Sequence, residues 1–409
     1  MPNFSIPLSG LSADSVALNT IGNNLANLNT TGFKGQSTEF EDLFYQQIGN
    51  NGSGDTLQVG VGTNVETTAT DYSQGSINPT GVTTDLALSG DGFFVVQQDG
   101  LNVLTRAGNF QLDSKGDFIT AEGAKVMGYS ATNGVVNSTG PLTALTLPVG
   151  TTETGQATQN IGFTANLNAG SVIGTTYPTS VTTYDSLGQT HLATVTFTKT
   201  AQNTWSYSVA IPSADYTGTA TNTTGTLTFN ASGQLTSPTA NVANVTFPGL
   251  TDAAANLDFS LNLYNSAGTP TISQTIAPSQ TSANSQDGFP SGIYQGFSAD
   301  ASGTLTATFS NGQTETVGQV AVATVSNDEG LTIVGNNNLQ TTAASGQIVA
   351  GVAGTGARAT ITDSALELSN VDISTEFANL IVAQRDFEAN SKTVTTFDTV
   401  TQDTIAMIR

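Results

Sequence analysis

The sequence predicts a mainly β protein with an α-helix at each end. The N- and C-terminal helices pair as a coiled-coil layer, and two nested all-β domains lie between them, the second inserted in the first. Three observations predict this. Apolar residues recur at helical spacing in the first thirty-odd positions; short alternating runs bounded by Gly and Asp turns fill the middle; and positions 371–409 hold neither Gly nor Pro.

At the N-terminus, Leu11, Leu18, Ile21, Leu25 and Leu28 fall at spacings of seven, three, four and three, a single helical stripe interrupted at Asp14. Pro7 is expected before the helix, Ser9 or Ser12 at its cap, and Gly32 just past its end. Propensity is poor: Asn19, Gly22, Asn23, Asn24 and Asn27 together cost about 3–4 kcal/mol relative to Ala. A striped helix too weak to stand alone requires a partner.

Thr38–Tyr45 is short and ambiguous, and Gly49–Gly54 reads as a flexible link. From Leu57 the period becomes two. Leu86–Leu88, Phe93–Val96, Val103–Leu104, Phe110–Leu112 and Phe118–Ile119 are predicted strands separated by Gly- and Asp-containing turns. After Leu147-Pro148-Val149 the texture loosens. A second β region follows, with a turn at Thr182–Gly188 and alternating strands at Ala193–Thr198, Trp205–Val209, Leu227–Phe229 and Leu257–Leu263, which suit an antiparallel sheet or barrel. From Gly292 the denser texture returns through Leu305–Phe309, a Ser310-Asn311-Gly312 hairpin turn and Val320–Val325. The second β region therefore reads as an insertion.

The final segment is a predicted helix from Asp372 to Ile408, about 55 Å long at 1.5 Å per residue. Phe377, Leu380, Phe387, Val394, Thr401 and Ile408 keep a heptad-like repeat that Ile381, Phe397 and Ile405 widen. Six threonines between Thr393 and Thr404 weaken it. Two weak, striped ends pair most simply with each other and with copies from neighbouring subunits. The expected division is 1–32 with 371–409 as paired helices, 33–70 with 357–370 as an extended linker region, 71–147 with 285–356 as the first β domain, and 148–284 as the inserted domain.

Nine Lys and Arg against 31 Asp and Glu in 409 residues, a net charge of −22, exclude nucleic-acid binding through phosphate contacts. No apolar run is long enough to span a membrane, and the first residues lack the charge and apolar core of a secretory signal. Cysteine is absent, which removes disulfides and thiolate chemistry and suits a chain that crosses a membrane unfolded. The acidic, Thr- and Asn-rich composition suits an extracellular protein.

Catalytic signals are absent. The lone His191 reads as an ordinary surface or strand histidine. Asp113–Asp117 has Lys115 where a cation loop needs a ligand, and reads as a β-turn. Gly60–Gly62 and Gly351–Gly356 lack the Lys-Ser/Thr of a phosphate loop and read as turns or extended links. No catalytic, cofactor-binding or metal-ligating residue is assigned. Spacing alone leaves paired carboxylates open.

Three stretches carry a family resemblance: Ala17–Lys34, which includes Asn23, Asn24, Asn27, Asn29, Thr31, Gly32, Phe33 and Lys34; Ser89–Phe94 with Thr105–Phe110; and Val371–Lys392. In these the chain resembles the bacterial flagellar axial rod and hook protein family, and its hook members by length, by the Tyr184–Gly188 region, and by Gly292–Phe297 through Ser310–Gln313. The resemblance covers roughly residues 1–145 and 285–409. It implies a non-enzymatic subunit of a flexible helical tube, a universal joint passing motor torque from rod to filament. The paired terminal helices would line an export channel inside this tube. The implied partners are other copies of the chain, rod, hook-cap and hook–filament junction proteins and the flagellar export apparatus, reached without signal cleavage. No cofactor, nucleic acid or membrane insertion is implied. A distal rod subunit, or an extracellular carbohydrate-active protein or adhesin, are the alternatives.

Overall fold

The computed structural model describes residues 4–50 and 56–407. The chain divides into two compact units. The first comprises Met1–Val149, Phe297–Ala307 and Glu315–Arg409, and the second Gly150–Gly296 with Thr308–Thr314. Residues 285–296 and the Asn311 turn thus belong with the inserted unit rather than the first β domain. Hydrogen bonding explains the shift: Thr152 and Glu153 pair with Ile293 and Gly292, and Asn311 Nδ2 donates to Pro290 O at 2.9 Å and Glu153 Oε2 at 3.2 Å.

The first unit carries both terminal helices. Helix α1 spans Ser5–Ala26 and α2 spans Ile373–Met407. The start of α1 differs from expectation, because Pro7 lies inside the first turn and the N-cap residue is Phe4, whose side chain makes no capping bond. A proline is tolerated there since the first-turn N–H has no intrahelical acceptor to lose. Ser9 Oγ donates to Ile6 O instead of capping. The end differs too. Asn27 closes the helix, donating its Nδ2 to Asn23 O, so Leu28 falls in the following turn rather than on the stripe.

Asp372 starts α2, its Oδ1 accepting Thr375 N at 2.7 Å. The threonines that weaken this helix on paper are accommodated by back-bonding. Thr393, Thr396, Thr399, Thr401 and Thr404 each donate Oγ1 to the carbonyl four residues earlier.

In the β body of this unit, Phe93–Gln98 pairs with Leu101–Thr105, Lys125–Thr132 and the Thr314–Thr324 strand. Phe93, Val95, Leu104, Met127 and Ala323 pack on one of its faces. An aromatic ladder continues through Phe94, Phe110, Phe118 and Phe297, with ring centroids 5.1–5.9 Å apart. Burial on both faces explains why Phe93–Val96 is a continuous apolar run rather than an alternating one.

The stretches expected as linker are hydrogen-bonded. Gln36–Asp42 pairs with Thr63–Thr70, and Tyr45–Asn50 pairs with Thr56–Gly60 in a two-stranded ribbon. Part of the expected Gly49–Gly54 link, 51–54, lies outside the described residues. Thr360–Asp363 and Ala365–Glu367 pair with Leu86–Ser89 and Ile77–Pro79, which fastens the approach to α2 onto the β body. Asp113 forms a turn, its Oδ1 accepting Lys115 N and Asp117 N at 2.8 Å.

In the inserted unit, one sheet is antiparallel in the order Thr176–Tyr184, Thr190–Ala201, Thr204–Ala210, Thr224–Phe229, Leu235–Ser237. The second sheet is mixed rather than purely antiparallel. Its central strand Asn160–Asn168 runs parallel to Leu257–Asn262 and Ile272–Thr275 and antiparallel to Gln280–Gln286. Trp205, Phe163, Phe197, Phe247 and Phe259 fill the common core. Thr and Ser alternate with these residues on the outward face, which produces the period-two pattern.

Candidate assembly site: the helix pair and its buried anchor

The helices pair antiparallel, Phe4 meeting Phe397 edge-on at 6.0 Å and Asn24 meeting Glu376 at 3.0 Å. The face α1 buries is small and polar. Pro7, Gly10, Ala13, Thr20 and Asn24 are its buried residues, whereas Leu11, Leu18, Ile21 and Leu25 are half-buried. Gly10 sits so close to α2 that a Cβ would lie 2.7 Å from Asn390 Nδ2. That amide donates to Asp14 Oδ2 at 2.8 Å. Asp14, which interrupts the leucine stripe, is therefore part of the helix contact.

On α2 the side turned to α1 carries Glu376, Leu380, Ala383, Asn390, Val394, Phe397 and Thr401, all at least half-buried, with Phe387 on the same register at the edge of exposure. Alternating spacings of four and three make this a heptad seam. Of the expected seam residues, Leu380, Phe387, Val394 and Phe397 lie on it. Phe377, Ile381 and Ile405 do not, being 50%, 52% and 60% exposed. They fall one position around the helix, beside the seam formed by Leu380, Phe387, Val394 and Phe397, and stand away from α1. Ile408 lies outside the described residues.

Asn24 accounts for much of the Asn-rich face. Its Nδ2 donates to Gln36 O at 2.7 Å and to Glu376 Oε1, and its Oδ1 accepts Gln36 N at 3.0 Å. Asn23 and Asn27 bond each other, Thr30 Oγ1 donates to Asn27 Oδ1, and Asn29 is exposed. Thr31 O accepts Asn337 Nδ2 at 2.8 Å. The next residues turn into the β body. Gly32 has φ +66° and a Cβ there would lie 2.6 Å from the Arg106 carbonyl carbon, so both conformation and space demand glycine. Its N–H donates to Glu367 O at 2.8 Å, and Phe33 O accepts Asn370 N at 3.4 Å.

Lys34 then enters a buried ion cluster. Lys34 Nζ donates to Glu367 Oε1 at 2.7 Å and to Ser73 O at 2.6 Å; Arg106 Nη1 donates to Glu367 Oε2 at 3.1 Å. Gly75 N also donates to Oε1, and Arg106 Nη2 to Gly90 O. Glu367 is fully buried. Burial pulls the Lys34 ammonium below its ordinary 10.5, and the bond to Glu367 opposes that pull. Asn370 completes the joint, accepting Gly35 N and donating to Asp71 O, both at 2.8 Å.

Sequence reasoning singled out Lys34 as a motif residue, and Arg106 only as part of a stretch. It missed Glu367, whose signal was a lone carboxylate at the end of an apolar Ala-Leu pair. Through these bonds the chain just after α1, at residues 32–35, and the chain just before α2, at 367–370, are tied to residues 71–75, Gly90 and Arg106 at one point.

Four family matches cover most of the chain. They are a flagellar basal body rod protein at residues 6–34, a flagellar hook protein FlgE/F/G D1 domain at 87–164, a flagellar basal body protein FlaE D2 domain at 156–289, and a flagellar basal body rod FlgEFG C-terminal segment at 362–407. The chain is 33% identical to the flagellar hook protein FlgE of Escherichia coli K12 over 412 residues, covering 97% of this chain and 98% of that protein. It is 34% identical to the Salmonella typhimurium hook protein over 415 residues, with 97% and 98% coverage, and 31% identical to that of Treponema pallidum over 456 residues, with 98% of each covered. A crystal structure of Helicobacter pylori flagellar hook protein FlgE2 shares the fold with TM-score 0.52 at 17% identity, covering 71% of this chain and all of that one.

Proposed function

The chain belongs to the flagellar hook protein family and is a structural subunit of the flagellar hook, and from that premise we propose how its own residues make the polymer. The terminal helices assemble with those of neighbouring copies into the inner layer of the tube, around the export channel. The observation that carries this reading is the division of labour on α2. One side of α2, with Leu380, Ala383, Asn390, Val394 and Phe397, meets α1 within the chain, and Phe377, Ile381 and Ile405 are left outward. An apolar row exposed along a helix loses about 25 cal/mol per Å² of burial until a partner covers it.

The Tyr45–Asn50 and Thr56–Gly60 ribbon gives a second contact. Phe44 is 91% exposed beside it, and Tyr45, Ile48, Leu57 and Val59 are exposed along it. A two-stranded ribbon with no covered face gains stability from packing on another surface. Rod, hook-cap and hook–filament junction proteins and the export apparatus are the further partners of this reading, and extracellular placement without a cleaved signal goes with it.

The buried Lys34–Glu367–Arg106 joint passes load from the helices into the β body. Cyclic bending is then taken up between subunits, through wet contacts between Thr-, Ser- and Asn-rich surfaces that re-form at little cost. Electron microscopy of the concentrated full-length chain tests the reading: tubes or short curved polymers are expected. A deletion strain should make rods without hooks and lose motility. Monomers alone at high concentration, together with normal hooks in the deletion strain, would overturn it.

A further inference from the structure

We propose that Asp185, His191 and Asp252 of the inserted unit form a site for one borderline divalent cation of the Zn²⁺ class, with Asp215 orienting the histidine. The site lies where three loops meet. Asp185 opens the turn after the Thr176–Tyr184 strand, His191 begins the next strand, Asp215 follows the Thr204–Ala210 strand, and Asp252 follows the Leu250 bridge. Thr251 N donates to Asp215 O at 3.0 Å and Ala255 N to Ser186 Oγ at 2.9 Å, which ties the loops together.

Three carboxylates aim one oxygen at the same imidazole. Asp185 Oδ2 lies 3.2 Å and Asp252 Oδ2 3.9 Å from His191 Nε2, while Asp215 Oδ2 lies 2.9 Å from Nδ1. The other oxygens of Asp185 and Asp252 are occupied by their own turns. Asp185 Oδ1 accepts Leu187 N and Gln189 N, and Asp252 Oδ1 accepts Ala254 N. His191 and Asp185 are buried, and Asp252 is partly open to solvent.

The atoms suit coordination. Ligands at 2.0–2.2 Å from a tetrahedral zinc stand about 3.4 Å apart, close to the 3.2 and 3.9 Å found here. The ligand atoms of Asp185, His191 and Asp252 all lie within 4.8 Å of one another. A histidine that ligates through one nitrogen commonly donates its other N–H to a carboxylate, the position Asp215 occupies. Charge points the same way. Three carboxylates face one imidazole, and His191 is their only ion-pair partner among the described residues, so a bare cluster holds uncompensated negative charge that a dication neutralises. A nitrogen ligand and two carboxylates favour the zinc class over calcium, which takes six to eight oxygens. A cation bound at Nε2 uses that nitrogen's lone pair, so any proton held there leaves to solvent.

Zinc titration of the folded full-length chain, after metal stripping, tests the site by calorimetry and elemental analysis. One zinc per chain is expected, with a raised unfolding midpoint for the inserted unit and little effect of calcium. Asp252→Asn, which keeps an oxygen for Ala254 N, should weaken binding at least tenfold with unchanged circular dichroism, and His191→Ala should abolish it. Asp215→Asn should weaken it about tenfold. No zinc uptake by the folded wild-type chain, or uptake undiminished in Asp252→Asn and His191→Ala, would overturn the proposal. Equal stabilisation by calcium would overturn the zinc assignment.

Discussion

Lys34 and Glu367 are 333 positions apart and meet at 2.7 Å, with Arg106 closing the other side of the same carboxylate. One salt bridge thus joins the chain leaving α1 to the chain entering α2. Glu367→Ala strands two buried cations, and breaking such a pair costs about 3–5 kcal/mol. Chemical denaturation should show that loss in the unit carrying the helices, while the inserted unit, which makes none of these bonds, keeps its midpoint. An unchanged first transition would remove the cluster's structural role.

The closeness of α1 to α2 at Gly10 leads to a second expectation. Gly10→Val forces the Asn390 amide off Asp14 and pushes the helices apart. Overpacking of this kind costs typically about 1–3 kcal/mol. Polymer yield by sedimentation should drop sharply while the β domains keep their near-ultraviolet spectrum. Wild-type polymers from Gly10→Val would show that the small face is not the contact.

Substitutions on the two sides of α2 should separate. Phe377→Asp and Ile381→Asp replace exposed side chains, so monomer stability should stay within about 0.5 kcal/mol while assembly fails. Ala383→Asp buries a carboxylate against α1 and should lower helix content in the monomer itself. Electron microscopy and circular dichroism on the same samples read both outcomes.

Phe44→Ser gives an independent view of the ribbon contact. With Phe44 91% exposed, the monomer should be unaffected. Shorter or absent tubes at the same concentration are expected, and tubes of normal length would exclude the ribbon as a docking element.

Acid sensitivity should centre on carboxylates such as Asp287. Burial raises its pKa, but hydrogen bonds from Asn160 Nδ2 and from the backbone N–H groups of Asn160 and Gln159 outweigh burial and hold it below its ordinary 3.8. A carboxylate lowered on folding stabilises above its unfolded pKa and loses that contribution as pH falls through the folded value. The inserted unit should therefore be stable at neutral pH and weaken below about pH 4. Asp287→Asn should flatten that dependence in denaturation curves taken across this range.

The nested β organisation and both helices were legible because period and punctuation are local properties. Phe93–Val96 reads as a strand, and the Gly- and Pro-free end reads as a long helix, whatever surrounds them. The leucine stripe of α1 was misleading for the same reason. Periodicity shows that Leu18 and Leu25 share a face, yet the partner's shape decides which face is buried first, and α2 takes the side with Gly10, Ala13 and Asn24. His191 reads as an unremarkable strand residue until three aspartates from separate loops converge on it.

Local pattern supplied the alphabet of this protein: striped weak helices at the ends, alternating strands between, and a family recognisable from three short stretches. Tertiary structure alone decided that those stretches converge, with Lys34 from the first, Arg106 from the second and Glu367 a few residues before the third around one carboxylate. The physical reason is range. Helix and strand preferences act over a few residues, whereas a buried charge is tolerable only when opposite charges arrive, from any distance along the chain, within about 3 Å.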